Sequence, residues 1–164
     1  MKIIVLSRWD IENLEAYQQL VPEPHLLISI GPGEARVAKH PNLIGQLSLW
    51  FEDIDSLEVA KRNNLQMMTL EDAELVLSFI EMRGSLAEAI VCQCEAGISR
   101  SAGVASALAL ILNGHDSHFT SPNGGTIPNR FVYSQIFKVF SRMSQKEQDM
   151  LRQIGQRECL SQTG

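Results

Sequence analysis

The chain has 164 residues, of which 45% are hydrophobic and 20% charged, and it carries a formal net charge of −5. That length and balance suit a single domain spanning 1–164 that buries most of its apolar surface. The acidic excess argues against nucleic acid or an anionic membrane as partner, since either needs clustered Lys and Arg; only a small local basic pocket stays compatible with it.

KIIVLS reads as a short buried strand, and its apolar run ends at Arg8, too soon for a signal peptide. Asp10 then caps a helix reaching about Gln19. HLLISI is a second strand, closed by Gly31-Pro32-Gly33. Leu47, Leu49 and Phe51 alternate with Ser48 and Trp50, so QLSLWF is a third strand with one apolar face, running straight into Glu52-Asp53-Ile54-Asp55. Thr69 and Asp72 open a helix with a capping box, put Ala73, Val76, Leu77 and Ile80 on one face, and Gly84 stops it. AEAIVCQ is the fourth strand.

From Ser101 to Leu112 the chain is apolar almost all round, the pattern of a helix at the centre of a domain, and Gly114 ends it. Its longest apolar stretch, VASALALIL, is too short to cross a bilayer, which with the missing signal peptide predicts a cytoplasmic protein. Two further helices are expected, from about Arg130 to Met143 and, behind the Ser144–Glu147 capping box, from about Gln145 to Leu160. Short strands alternating with helices predict a small α/β domain whose mainly parallel sheet of about four to five strands is flanked by helices. In such a sheet the functional crevice lies at the carboxyl ends of the strands. Ser7-Arg8-Trp9, Gly31-Pro32-Gly33, Glu52 to Asp55 and the segment after Gln93 then face one site.

That last segment, CEAGISRS, holds the most organised set of reactive groups in the sequence. Three cysteines, an odd number, form no disulfide framework and fit a reducing compartment in which thiols stay free. Cys94 ends a buried strand and Arg100 opens a helix, so Glu95, Ala96, Gly97, Ile98 and Ser99 must curl between them, with Gly97 supplying the freedom to do so. Backbone N–H groups in such a curl, at the positive end of a helix, bind a tetrahedral oxyanion, and Arg100 adds a bidentate grip. The same field favours a thiolate at Cys94, making it a nucleophile touching a bound phosphate.

CEAGISRSAGVASALALIL resembles the signature loop and following helix of cysteine-based protein phosphatases, specifically their dual-specificity branch. Pro128-Asn129 with Gln135, in IPNRFVYSQIF, resembles the segment that opens the next helix of that branch. The resemblance covers the stretch from Ile90 to Phe140 well and the N-terminal half only in the order of its elements. It implies a protein tyrosine phosphatase-like fold and a two-step hydrolysis without metal or other cofactor. In that scheme Cys94 attacks phosphorus, the loop amides and Arg100 hold the oxygens, Ser101 bonds the sulfur and makes it a better leaving group, and Asn129 braces the loop. It also implies an aspartic acid on an upstream loop after a strand; Asp53 fits first and Asp55 second. Gln93 departs from the family, which usually has a histidine before the nucleophile; glutamine can donate a hydrogen bond but brings no charge.

The loop interior carries Glu95 and no Lys or Arg, which disfavours a highly anionic substrate and points to a protein phosphorylated at tyrosine or another residue, or to a small phosphomonoester. A phosphate-binding module without turnover, motivated by Gln93, and a thiol-based arsenate reductase or sulfurtransferase, which would use Cys92 or Cys159, are the competing readings. His115 and His118 in a polar loop without cysteines read as surface residues and not as metal ligands. Arg8 and Arg36 read as solvated surface arginines rather than as contacts to substrate.

Overall fold

The alternation of apolar runs with capped helical segments folds into a four-stranded sheet covered on both faces. The structure is a computed structural model and describes residues 1–32, 39–121 and 125–157. In chain order the elements are β1 (Lys2–Ser7), α1 (Arg8–Glu12), α2 (Leu14–Leu20), β2 (His25–Ile30), β3 (Leu43–Leu49), α3 (Leu57–Asn63), α4 (Leu70–Arg83), a 3₁₀ turn (Gly84–Leu86), β4 (Ala89–Cys94), α5 (Arg100–Asn113), α6 (Ser117–Thr120), α7 (Arg130–Phe140) and α8 (Gln145–Gln156). The strand order is β1-β4-β2-β3, and every pairing among these strands is parallel. All four carboxyl ends therefore lie along one edge, with β4 between β1 and β2.

Side-chain alternation along the strands separates two cores. Leu26, Ile28 and Ile30 of β2 and Ile90, Cys92 and Cys94 of β4 face a large cluster completed by α4, α5, α7 and α8. Leu27, Ala89 and Val91 face the other way, onto Ile11, Tyr17 and Val21 of the α1–α2 pair. Each fully buried Leu or Ile here contributes about 1.5–3 kcal/mol of burial free energy. α5 is buried along nearly its whole length and touches α7, α8, β4 and β1, as its unbroken apolar sequence requires. Among the described residues no helix is long and apolar enough to cross a membrane.

Several boundaries differ from the sequence expectation. Ser7, not Asp10, is the N-cap of α1; Asp10 sits at the third helical position and returns a bond to the Ser7 backbone, a reciprocal capping box. The single helix expected to Gln19 breaks at Asn13, whose side chain accepts from the Ala16 N–H and starts α2. β3 lies three residues earlier than QLSLWF at its start, and Trp50 and Phe51 follow it, although Leu49 and Phe51 are buried and Ser48 and Trp50 exposed as the alternation predicts. The helix from Arg130 ends at Phe140, and the last helix ends at Gln156; its expected extension from 158 to Leu160 lies outside the described residues.

Candidate active site

β4 ends at Cys94 and α5 begins at Arg100, so five residues must reverse the direction of the chain. Gly97 does this at φ 67°, where a side chain would be strained, and a Cβ there would stand 2.7 Å from the Ser7 nitrogen and 2.8 Å from the Leu6 carbonyl carbon. The loop is thus pressed against the end of β1. The Arg8 N–H also donates to the Glu95 carbonyl at 3.2 Å. On its other side the Ile98 and Ser99 carbonyls accept from the Ile127 and Asn129 N–H groups at 3.0 and 3.1 Å. Two neighbouring segments therefore fix the loop before any ligand arrives.

At its base Cys94 is only 2% exposed, and its Sγ lies 2.9 Å from the Ser101 Oγ. Burial alone pushes this thiol up, but the Ser101 hydroxyl and the backbone N–H groups of Ser101, Ile98 and Gly97 together bring it below the ordinary cysteine value. Cys92, two residues earlier on the same strand, meets no such donors, and burial followed by the neighbouring Cys94 pushes its thiol far up. Arg100 donates from Nη1 to the Phe51 carbonyl at 3.1 Å, while its Nε is buried with no hydrogen-bond partner among the described residues. A buried guanidinium N–H without a partner is costly, and an oxyanion in the loop is the kind of acceptor that would satisfy it.

Asp53 stands after β3 and reaches the same loop. Its Oδ1 accepts from the Ser99 Oγ at 2.7 Å and from the Asn129 Nδ2 at 2.9 Å. Asn129 also caps α7, its Oδ1 accepting from the Val132 N–H at 3.0 Å. The asparagine therefore braces the loop through its backbone and holds Asp53 through its side chain. Asp53, Asp55, Ser99, Ile127, Pro128, Asn129 and Arg130 line a groove of about 280 Å³. Asp55 shares that groove but makes neither of the bonds that fix Asp53.

Gln93 precedes Cys94 on β4. Its amide oxygen accepts from the Ser29 Oγ at 2.7 Å, next to it across the β2–β4 pairing, on the face opposite Cys94. Arg8 is engaged by Glu12 at 2.8 Å and by Glu95 at 3.5 Å, so the loop glutamate and this arginine neutralise each other at the rim. Among the described residues there is no group of three or more His, Cys, Asp or Glu placed to hold a metal ion. Gly33, Arg36 and Cys159 lie outside the described residues. Two features had no sequence signal: the Ser99 side chain as a partner of Asp53, forty-six positions away, and Arg130 in the groove wall.

The sequence matches no protein-family model and no curated protein. Solved structures do resemble it. Human DUSP28 aligns at 19% identity over 84% of this chain and 90% of its own, with a TM-score of 0.58. A mouse putative dual specificity phosphatase, complexed with zinc tungstate, aligns at 19% identity over 95% of this chain and 89% of its own, with a TM-score of 0.59. DUSP15 aligns at 18% identity over 95% and 92%, also with a TM-score of 0.59. The chain thus shares the mixed α/β fold of these solved structures, a four-stranded parallel sheet flanked by helices.

Proposed function

We propose that this protein is a cysteine-dependent phosphomonoesterase that acts on phosphorylated protein, with phosphotyrosine the favoured substrate. The observation that carries the reading is Cys94 at the base of a loop whose N–H groups and Ser101 hydroxyl favour its thiolate, beside an Arg100 Nε that has no partner among the described residues. In the first step the Cys94 sulfur forms a bond to phosphorus as the ester P–O bond breaks, and the leaving oxygen takes a proton from Asp53. The loop amides and Arg100 hold the three remaining oxygens as charge builds on them. In the second step water attacks phosphorus, gives a proton to the Asp53 carboxylate, and the S–P bond breaks to return the thiolate and release phosphate. The Ser101 hydroxyl stabilises that departing sulfur. No step calls for a metal or cofactor.

Hydrolysis of para-nitrophenyl phosphate in the presence of a chelator tests this reading, with Cys94→Ser as the control. Turnover by the parent and none by the variant, with a phosphocysteine trapped by acid quench, is the expected outcome. A protein that binds phosphate or vanadate but turns over nothing is a binding module instead; the uncharged Gln93, turned to Ser29, favours that second reading. A thiol relay draws no support from Cys92, whose buried thiol is held protonated. The site is expected to work in the cytoplasm, where Cys94 stays reduced.

A further inference from the structure

On the face of the sheet away from Cys92 and Cys94, the smaller apolar core contains two buried histidines whose hydrogen-bond partners fix opposite tautomers. His25 opens β2, and its Nδ1 lies 2.8 Å from the Glu23 carbonyl oxygen, which can only accept. Nδ1 therefore carries the hydrogen, and Nε2 accepts the Tyr17 O–H at 2.7 Å. His40 is the reverse. Its Nδ1 lies 3.1 Å from the Asn42 backbone nitrogen, which can only donate, so Nδ1 is bare and the hydrogen sits on Nε2. That Nε2 is buried without a hydrogen-bond partner among the described residues, which leaves the Asn42 N–H to hold the ring.

A further proton is received differently by the two rings. On His25 it goes to Nε2, where the Tyr17 hydroxyl can turn its oxygen to accept it. On His40 it goes to Nδ1 and meets the Asn42 N–H, donor against donor, so that bond must break. Pro41 has no N–H with which to replace it. Asn42 is itself a tie-point: its carbonyl accepts the His25 N–H at 2.9 Å, and its side-chain amide donates to the Pro22 carbonyl at 2.6 Å. The turn at Pro41–Asn42 thus joins the start of β3 to the start of β2 and to the segment after α2. No group around His40 is placed to absorb its charge. Burial and then the neighbouring His25 oppose it, and only the Val21 backbone favours it. Tyr17 is held protonated by burial, and Glu23 is taken by Lys2.

We propose that His40 is a proton-operated latch: neutral, it holds the Pro41–Asn42 turn against the smaller core through Nδ1, and on gaining a proton it lets that turn go. The inference is independent of the phosphatase reading. His25 pairs with Ala89, the first residue of the strand that ends at Cys94, so the latch lies at the opposite edge of the sheet from the candidate site. The closed latch binds fewer protons than the open one. Opening therefore becomes easier as pH falls below about 6.5, by up to about tenfold per pH unit for one proton. The rings are 4.7 Å apart, which discourages a second charge while β2 stays in place.

The full chain labelled with ¹⁵N tests this by nuclear magnetic resonance. Imidazole ¹⁵N shifts at pH 7.5 should show His40 with its hydrogen on Nε2 and His25 with its hydrogen on Nδ1; a hydrogen on Nδ1 of His40 overturns the latch. Hydrogen exchange of the Asn42 amide, corrected for its intrinsic pH dependence, should be faster than that of Ile90 in β4 at every pH, because the turn opens locally. Its protection should drop up to about tenfold between pH 6.5 and 5.5. Asn42 and Ile90 exchanging at one rate would mean that only global unfolding frees the turn, and the proposal fails. His40→Asn supplies a carboxamide oxygen that can accept the same N–H and does not titrate, so protection should persist at pH 7.5 and stay nearly flat to pH 5.5. His40→Ala should leave Asn42 poorly protected throughout. A drop in His40→Asn as steep as the parent's assigns the proton to another group and also overturns the proposal. Should either variant not fold, the tautomer and the exchange of the parent chain decide it.

Discussion

The bond between Cys94 and Ser101 joins the two ends of the loop, and its energetics make the role of the hydroxyl measurable. Burial opposes ionisation of Cys94, so the thiolate depends on its donors, of which the Ser101 hydroxyl is the largest. Ser101→Ala should raise the Cys94 pKa toward that of an ordinary thiol, and the pH at which iodoacetamide inactivation reaches half its limiting rate reports the rise. A hydrogen bond to a charged group contributes about 1.5–3 kcal/mol, so turnover of the variant should fall about ten- to a hundredfold, with a burst as phosphoenzyme accumulates. Asp53 and Asp55 separate by the same kind of reasoning. Asp53→Asn removes the acid and should lower kcat/KM, which reports the first step alone, about 10²–10⁴-fold for esters of poor leaving groups, with far less effect on activated aryl esters. Asp55→Asn, outside the Ser99–Asn129 clasp, should change neither by much. A flat leaving-group dependence in Asp53→Asn would remove it from the mechanism. Cys94, Arg100 and Ser101, which the fold brings together, were legible as one contiguous string, CEAGISRS. The clasp on Asp53 was not, because it joins residues from three separate elements that only the fold brings together.

At the scale of elements, legibility followed the strength of the local signal. β2 was read to the residue as HLLISI, since six consecutive buried positions bounded by turn residues leave little choice. α3 and α6 were not foreseen; seven and four residues are too short for a helical period to emerge. Close packing was equally invisible. Gly155 lies within α8 opposite the C-terminal part of α5, and a Cβ there would stand 1.8 Å from the Leu112 carbonyl oxygen and 2.4 Å from its carbon. Nothing in the local pattern distinguishes such a glycine from one that merely weakens a helix, because the constraint comes from a backbone forty-three positions away. In an exposed helix Gly→Ala stabilises by up to about 1 kcal/mol. Here the opposite is expected: Gly155→Ala must push α8 off α5, and urea unfolding should register a loss of about 2–3 kcal/mol. A gain in midpoint would mean that the two helices do not approach this closely.

For the whole molecule the sheet does two jobs, one on each face. The large core supports the Cys94 loop, while the smaller core holds a cluster of titratable rings with no part in the proposed chemistry. His25 is fully buried; its Nε2 lies 2.7 Å from the Tyr17 hydroxyl and its Nδ1 2.8 Å from the Glu23 carbonyl oxygen. His40 packs against both rings, with centroids 4.5 Å from Tyr17 and 4.7 Å from His25, accepts the Asn42 N–H at its Nδ1, and leaves its Nε2 buried without a partner among the described residues. The other charged groups near this cluster are Glu23 and Lys2, which pair with each other. Burial lowers the pKa of both histidines below the ordinary 6.5, and for His40 the neighbouring His25 lowers it further. The folded protein therefore holds them neutral at a pH where the unfolded chain has begun to bind protons. The stability they contribute is complete at neutral pH, and it declines as pH falls from about 6.5 through the lower folded-state values. Urea midpoints measured between pH 7.5 and 5 should fall over that range, before most carboxylates titrate. In His40→Phe the fall should be shallower, because an uncharged ring keeps the packing against Tyr17 and leaves one fewer group to protonate on unfolding. An equal slope in parent and variant would mean that His40 ionises as readily in the folded protein as in the unfolded chain, and that its place among these rings has no bearing on stability.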